Sequence, residues 1–429
     1  MNRNAIILLF IANAISGVAQ GISMIAIPWY FATRDILGQF GLIYIIATCI
    51  SVFWVPLSGS IIDKYDRRKI FLYLTFVVGA IITLISILGF QLGQLPWVLV
   101  GAVFIFTFLN YNLHYPCLYA FVQEISEPKH YAKMTSALEI IGQATTILAG
   151  AGATLLLEGT ENGILKIFGY PLNIGINISA WEIHEIFLLD SSTYFIAFLI
   201  ILAIRYTPIL RRKVEQGNLL VRIKIGWNYL RNEKAILWFG ILSFMVFMTI
   251  LLEAFYLGVS YINNHLEATG DVYANSKIAY SAGALFIGFS IRFFFHRITI
   301  PFLVVFLTAL TAIVYLVLFL TKSITILFIV FLVLGITNAG VRVSRITYLF
   351  KNVPNQFFGR AGSVFFLFNI LMRVLLLGIF TIPFFQYSNN IIYAFLILSV
   401  ILFITTLLLI IHYKSFDLSL SSNQKKTAG

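Results

Sequence analysis

The chain has 429 residues, of which 60% are hydrophobic and only 11% are charged, with a formal charge of +12. Soluble domains are about half apolar and a quarter charged, so this composition excludes an ordinary water-soluble fold and points to the bilayer as solvent. The two cysteines, Cys49 and Cys117, fall inside apolar runs; they exclude a disulfide framework and are expected as buried free thiols.

A helix needs ~20 apolar residues to cross the ~30 Å hydrocarbon core. Twelve runs meet that need, at 5–32, 39–62, 70–92, 97–123, 134–157, 186–206, 235–259, 276–295, 300–321, 323–350, 361–385 and 391–412. The first is too long for a signal-peptide core and has no cleavage site, so it is expected to stay in the mature protein. It carries a polar stripe of Asn13, Ser16, Gly17 and Gln20. Between the second and third runs lies Gly59-Ser60-Ile61-Ile62-Asp63-Lys64-Tyr65-Asp66-Arg67-Arg68-Lys69, the densest cluster of charge in the first half. There a glycine is expected to close the second helix, and Asp63 with the bases after it to form a tight aqueous loop.

In the fourth run Thr107, Asn110 and His114 recur at i, i+3 and i+7, which sets them on one helix face. His114 reads either as a satisfied core histidine or as a group that binds cargo or protons. The fifth run holds Glu139 and a small-residue stretch from Gly142 to Ala153, suited to close helix contact. The segment 158–185, rich in Gly, Asn and Ile, is a sizeable outer loop and reads as a short lid or a hairpin. A base-rich stretch from Thr207 to Lys234 then divides the runs six and six. Its Leu219–Leu230 portion, mixing bases with aliphatics and aromatics, reads as an amphipathic helix on the inner leaflet.

The second half repeats the first. A constant 229 positions carries Gly59 to Gly288, with Arg292, His296 and Arg297 after it, and Tyr119-Ala120-Phe121 to Tyr348-Leu349-Phe350. The seventh run offers Thr249 and Glu253, the tenth Asn338, Arg342 and Arg345, and the eleventh Arg373 as a possible buried counter-charge. Lys and Arg concentrate in alternate loops, which excludes a nucleic-acid partner as the reason for the charge and puts both termini in the cytoplasm.

With the loop motif, two six-helix halves repeated in parallel make the chain resemble the major facilitator superfamily over essentially its whole length. The family's loop reads roughly G-x-x-x-D-R-x-G-R-R/K. Gly59, Asp63, Arg67 and Arg68 match it; Lys64 and Asp66 depart from it. The resemblance implies an all-α polytopic fold of twelve transmembrane helices, divided as 1–206, a cytoplasmic linker 207–234, and 235–429. It implies that Gly59, Asp63, Arg67 and Arg68 latch the halves in one state. It also implies that helices one, four, seven and ten line a central cavity, which nominates Gln20, Asn110, His114, Asn338 and Arg342 as cargo contacts. Arg342 and Arg345 read equally as bases snorkelling to the interface.

Glu139 and Glu253 stand out as acids inside apolar runs, suited to load and release a proton; an interfacial ion pair is the plainer role for each. The fourth and fifth helices look most like bacterial efflux members of the drug and macrolide exporter type, although the expected Gly-Pro is missing. The expected function is proton-coupled export of a small organic molecule, as a monomer in a bacterial inner membrane. Uptake or facilitated passage of an anionic metabolite, siderophore or lipid-like solute is the alternative. No Walker loop occurs and the six histidines lack metal spacing, so no cofactor, metal or enzymatic role is expected. A membrane-embedded transferase would need a nucleophile–base pair that the sequence does not supply.

Overall fold

The computed structural model describes residues 3–127, 130–206, 219–386 and 388–416. Twelve long helices dominate: α1 Arg3–Thr33, α2 Leu37–Lys64, α3 Arg67–Leu92, α4 Trp97–Ile125, α5 Tyr131–Glu158, α6 Ile183–Ala203, α7 Lys234–His265, α8 Gly270–Arg297, α9 Ile300–Leu320, α10 Ile324–Asn352, α11 Asn355–Phe380 and α12 Ile391–Ile411. Long helices are the expected outcome, because a chain in hydrocarbon must satisfy its backbone internally. Eleven of them are long and apolar enough to cross a membrane; α8 is not among these.

Helix ends are set by local chemistry. Asp66 caps α3 by accepting from the Lys69 N–H at 2.9 Å, and Gly93, at φ 73°, ends that helix in the left-handed region. Glu182 and Glu185 form a reciprocal capping box at the start of α6. Thr299 and Ser323 cap α9 and α10. The outer segment is a hairpin: β1 Ile164–Ile167 pairs antiparallel with β2 Tyr170–Asn173, with Ile167 opposite Tyr170. Its two-residue turn puts both Phe168 (φ 52°) and Gly169 (φ 82°) at positive φ, the geometry that matches strand twist.

Two compact units divide the chain, Met1–Glu215 with Ala268–Ile278, and Gln216–Glu267 with Ala279–Gly429. The start of α8 therefore belongs with the first six helices. There Gly270 N–H donates to the Glu158 carboxylate at 2.5 Å, and Tyr273 stacks on Trp29 at 5.9 Å. The small-residue stretch of α5 supports this packing: a Cβ on Gly150 would meet Ile278 at 2.5 Å, and one on Gly152 would meet Ile22 at 2.8 Å. The core of the first unit includes Leu9, Phe71, Phe121 and Ile201.

In the second unit α8 and α10 cross at glycines. A Cβ on Gly283 would lie 1.9 Å from the Leu332 carbonyl oxygen, and one on Gly335 1.9 Å from that of Tyr280. The linker helix Leu219–Asn232 packs on α11, with Gly226 against the Arg360 backbone and Tyr229 stacked on Phe357 at 4.5 Å. Burial, with Glu233 adding to it, pushes the Tyr229 phenol up to about 12. Residues 207–218 of the expected linker, including Arg211-Arg212-Lys213, lie outside the described residues.

Three sequence expectations need correcting. The second helix does not close at Gly59 but continues through Asp63 to Lys64, leaving only Tyr65 and Asp66 as a connector. Charged residues outside the hydrocarbon are compatible with helix, so the apolar edge was not the helical edge. Cys49 is exposed on α2, and only Cys117 is buried; both thiols are free. Helix α7 does not end at 259: two π-helical turns, Glu253–Leu257 and Tyr261–His265, carry it to His265.

Candidate transport site

The charged corner after α2 is bound into the first unit through its bases. Arg67 pairs with Glu124 of α4 at 2.8 Å, both largely buried. Arg68 donates to the Ile201 and Leu202 carbonyls at 3.1 and 2.6 Å, closing the end of α6. Tyr206 donates to Asp66 at 2.9 Å, and burial together with that carboxylate holds the phenol above its ordinary range. Asp63 is exposed and makes no hydrogen bond or ion pair among the described residues. A Cβ on Gly59, one turn earlier, would meet open space. The equivalent corner of the second half is only partly visible, because the Arg292 and His296 side chains lie outside the described residues.

The polar stripe of α4 turns into its own unit. Asn110 is 4% exposed and donates to the Tyr194 hydroxyl of α6 at 3.2 Å. His114 bonds Asn13 of α1 at 2.9 Å, with Phe71 of α3 edge-on at 5.0 Å. A space of about 10 Å³ adjoins this pair, lined by α1, α3, α4 and α6, scarcely one water in size. His114 is half-buried, with one ring nitrogen taken up by Asn13. Ser16 donates to the Ala12 carbonyl, and Gln20 is half-buried on α1.

A different face of α4 carries Tyr111, Tyr115 and Tyr119 at four-residue spacing, a pattern sequence reasoning passed over among many aromatics. The Tyr111 and Tyr115 rings lie 4.4 Å apart, Tyr111 is 52% exposed, and Tyr119 donates to Glu139 of α5 at 2.8 Å. Glu139 is half-buried and accepts that hydrogen bond.

In the second unit Glu253 is 1% exposed, with its carboxylate folded against the backbone at Gly258 inside the first π turn. Such turns recur at functional sites. Asn338 donates to the Tyr280 hydroxyl of α8. Arg345 is buried, donates to the Ser243 carbonyl at 3.0 Å and lies 3.6 Å over the Phe244 ring. Arg342 is half-buried close to it, and Arg373 is 4% exposed. The structure thus collects Asn338, Arg342 and Arg345 along one helix and buries Glu253 and Arg373 on two others.

Two membrane acids were missed. Glu124 sits one residue beyond the expected fourth run, and Asp190, fully buried, lies inside the sixth. Simple inspection of acids in each apolar run would have found Asp190.

The sequence profile of the Major Facilitator Superfamily matches residues 9–377. The chain belongs to that superfamily. It is a multi-pass membrane transporter of small molecules and not an enzyme. No curated protein sequence matches this transporter. Solved structures do: a variant of the nucleoside transporter NupG (TM-score 0.72, 14% identity, 95% of this chain and 99% of that one); a D-xylose-proton symporter (0.66, 13%, 94% and 97%); and a bacterial homologue of the iron transporter ferroportin in its inward-facing state (0.61, 14%, 94% and 98%). At these identities the likeness shows the shared fold alone.

Proposed function

We propose that this transporter couples proton movement to export of a small, partly apolar organic molecule by alternating access across a bacterial inner membrane, with both termini cytoplasmic and the monomer as the working unit. The observation that carries this reading is the Tyr111–Tyr115–Tyr119 face beside Glu139, because a carboxyl group held by a phenol next to paired rings offers an apolar cargo surface and an acid together. The D-xylose-proton symporter shares the fold and is named for proton coupling, which supports a proton as co-substrate. Glu139 is assigned the coupling role, with Glu253 a second candidate in its π turn. Gly59 and Asp63 keep an open, uncommitted face within their unit, as a latch engaged only in another state requires. Export agrees with the small-residue stretch of α5.

A second reading rests on Arg345 and its neighbour Arg342, which suit passage of an anionic metabolite, siderophore or lipid-like solute. Purified transporter in vesicles under an imposed pH gradient, with a panel of cationic dyes and carboxylated solutes, separates the two. Export requires a cationic dye to move against its gradient and opposite to protons, with coupling lost in Glu139→Gln. Flux of carboxylated solutes alone, independent of the gradient and sensitive to Arg345→Gln, would replace it with the second reading.

A further inference from the structure

We infer that Asp190 is a proton-holding site of the first unit; this deepens the proton-coupled reading and rests on it. Asp190 lies on α6, seven residues after Ile183, and is fully buried. Neither carboxyl oxygen has a hydrogen-bond partner among the described residues. Ser23 of α1 faces it without closing a hydrogen bond, and Tyr194 stands one turn further along α6. Among the described residues it forms no ion pair with α1 or α3, the helices packed against α6, or with α4.

A bare carboxylate in that place has nothing to offset its desolvation, whereas a neutral carboxylic acid fits the same volume at far lower cost. An acid without a partner also contributes nothing to packing that Asn or Leu would not supply better. Arg67 and Glu124 make the contrast: that buried acid is matched by a base at 2.8 Å.

The same unit holds further polar groups toward Glu139. Tyr194 accepts from Asn110 at 3.2 Å and lies within electrostatic reach of both Asp190 and Tyr115. Tyr115 shares its face with Tyr119, which bonds Glu139. Helices rise 1.5 Å per residue, so Asp190 stands roughly 10 Å in from the start of α6, and Glu139 roughly 12 Å in from the start of α5. Those two helices start on opposite sides of the membrane, so the two carboxyls approach it from opposite faces. Release breaks the Asp190 O–H bond, hands the proton to a water molecule and leaves a carboxylate; reloading returns the proton.

Infrared spectroscopy of the full chain in lipid, with isotope-labelled aspartate, reads this directly. At neutral pH we expect a protonated aspartate carbonyl band that shifts with the label, disappears in Asp190→Asn and persists in Glu139→Gln. If Asp190→Asn fails to fold, Asp190→Glu serves instead, because it takes the band out of the labelled set. Absence of a protonated aspartate band at neutral pH, or its survival in Asp190→Asn, would overturn the assignment. Dye flux in vesicles keeps the two readings apart. Dye–proton exchange that Asp190→Asn leaves intact removes the site and spares the transport reading. The band present in a protein that exchanges protons for none of the dyes removes the transport reading and leaves the protonated site standing.

Discussion

Helices α4 and α10 hold corresponding places in the repeat and carry similar polar stripes, yet they satisfy them differently. In α4 the stripe is consumed by neighbours in its own bundle: Asn110 by Tyr194 of α6 and His114 by Asn13 of α1. In α10 Asn338 turns to Tyr280 of α8, and Arg345 to the α7 backbone and the Phe244 ring. Both helices keep an Asn-to-Tyr hydrogen bond, but the charge chemistry has diverged. The first unit buries Asp190 with no hydrogen-bond partner among the described residues, and the second buries the bases Arg345 and Arg373 together with the acid Glu253. A polar stripe on a membrane helix therefore says that partners exist, not that a cavity does.

The largest expected effect tests whether buried charge in the first unit is paired where it is structural. Arg67→Ala should cost ~3–5 kcal/mol by stranding Glu124, and Glu124→Gln in the same chain should recover much of it. Thermal unfolding in detergent measures both; an unchanged Arg67→Ala midpoint would deny the pair its role. Gly335→Ala drives a methyl into the Tyr280 carbonyl and should lose at least ~1–3 kcal/mol, whereas Gly378→Ala, with nothing within 4 Å, should not. Equal melting of the two would mean that the α8–α10 crossing is not close. His114→Leu should cost ~1–3 kcal/mol by leaving Asn13 unpartnered, and Asn13→Leu added to it should restore part of that. Strict additivity of the two losses would deny the His114–Asn13 contact. The smallest effect on stability belongs to Asp63→Asn, expected within about 0.5 kcal/mol of wild type while turnover of a transported dye slows. Normal turnover at normal abundance would remove the latch.

The fold was legible because hydrocarbon leaves a chain few choices, and twelve apolar runs became twelve long helices. Helix ends were less legible, since Asp63 and Lys64 continue α2 once outside the apolar layer, and the π turns that lengthen α7 leave no periodic mark. The orientation of α4 was hidden by its own composition. It is apolar nearly all round, so spacing groups Asn110 with His114 without revealing whether that face meets α1 and α6 or water. Asp190 was visible as an acid in an apolar run, but nothing in sequence shows that its carboxyl oxygens find no hydrogen-bond partner among the described residues. The Arg67–Glu124 pair spans 57 residues and could emerge only from packing.

On the proposed reading α4 offers its tyrosine face, not its Asn110–His114 face, to cargo. Single cysteines placed by Tyr115→Cys and His114→Cys, in a chain with Cys49 and Cys117 replaced, can be challenged in vesicles with a small membrane-impermeant thiol reagent. Labelling of Tyr115→Cys, slowed by a transported dye, with His114→Cys inert in both conditions, is the expected result. Labelling of His114→Cys with protection by the dye, and an inert Tyr115→Cys, would contradict the account and return the cargo site to the stripe that the sequence first suggested.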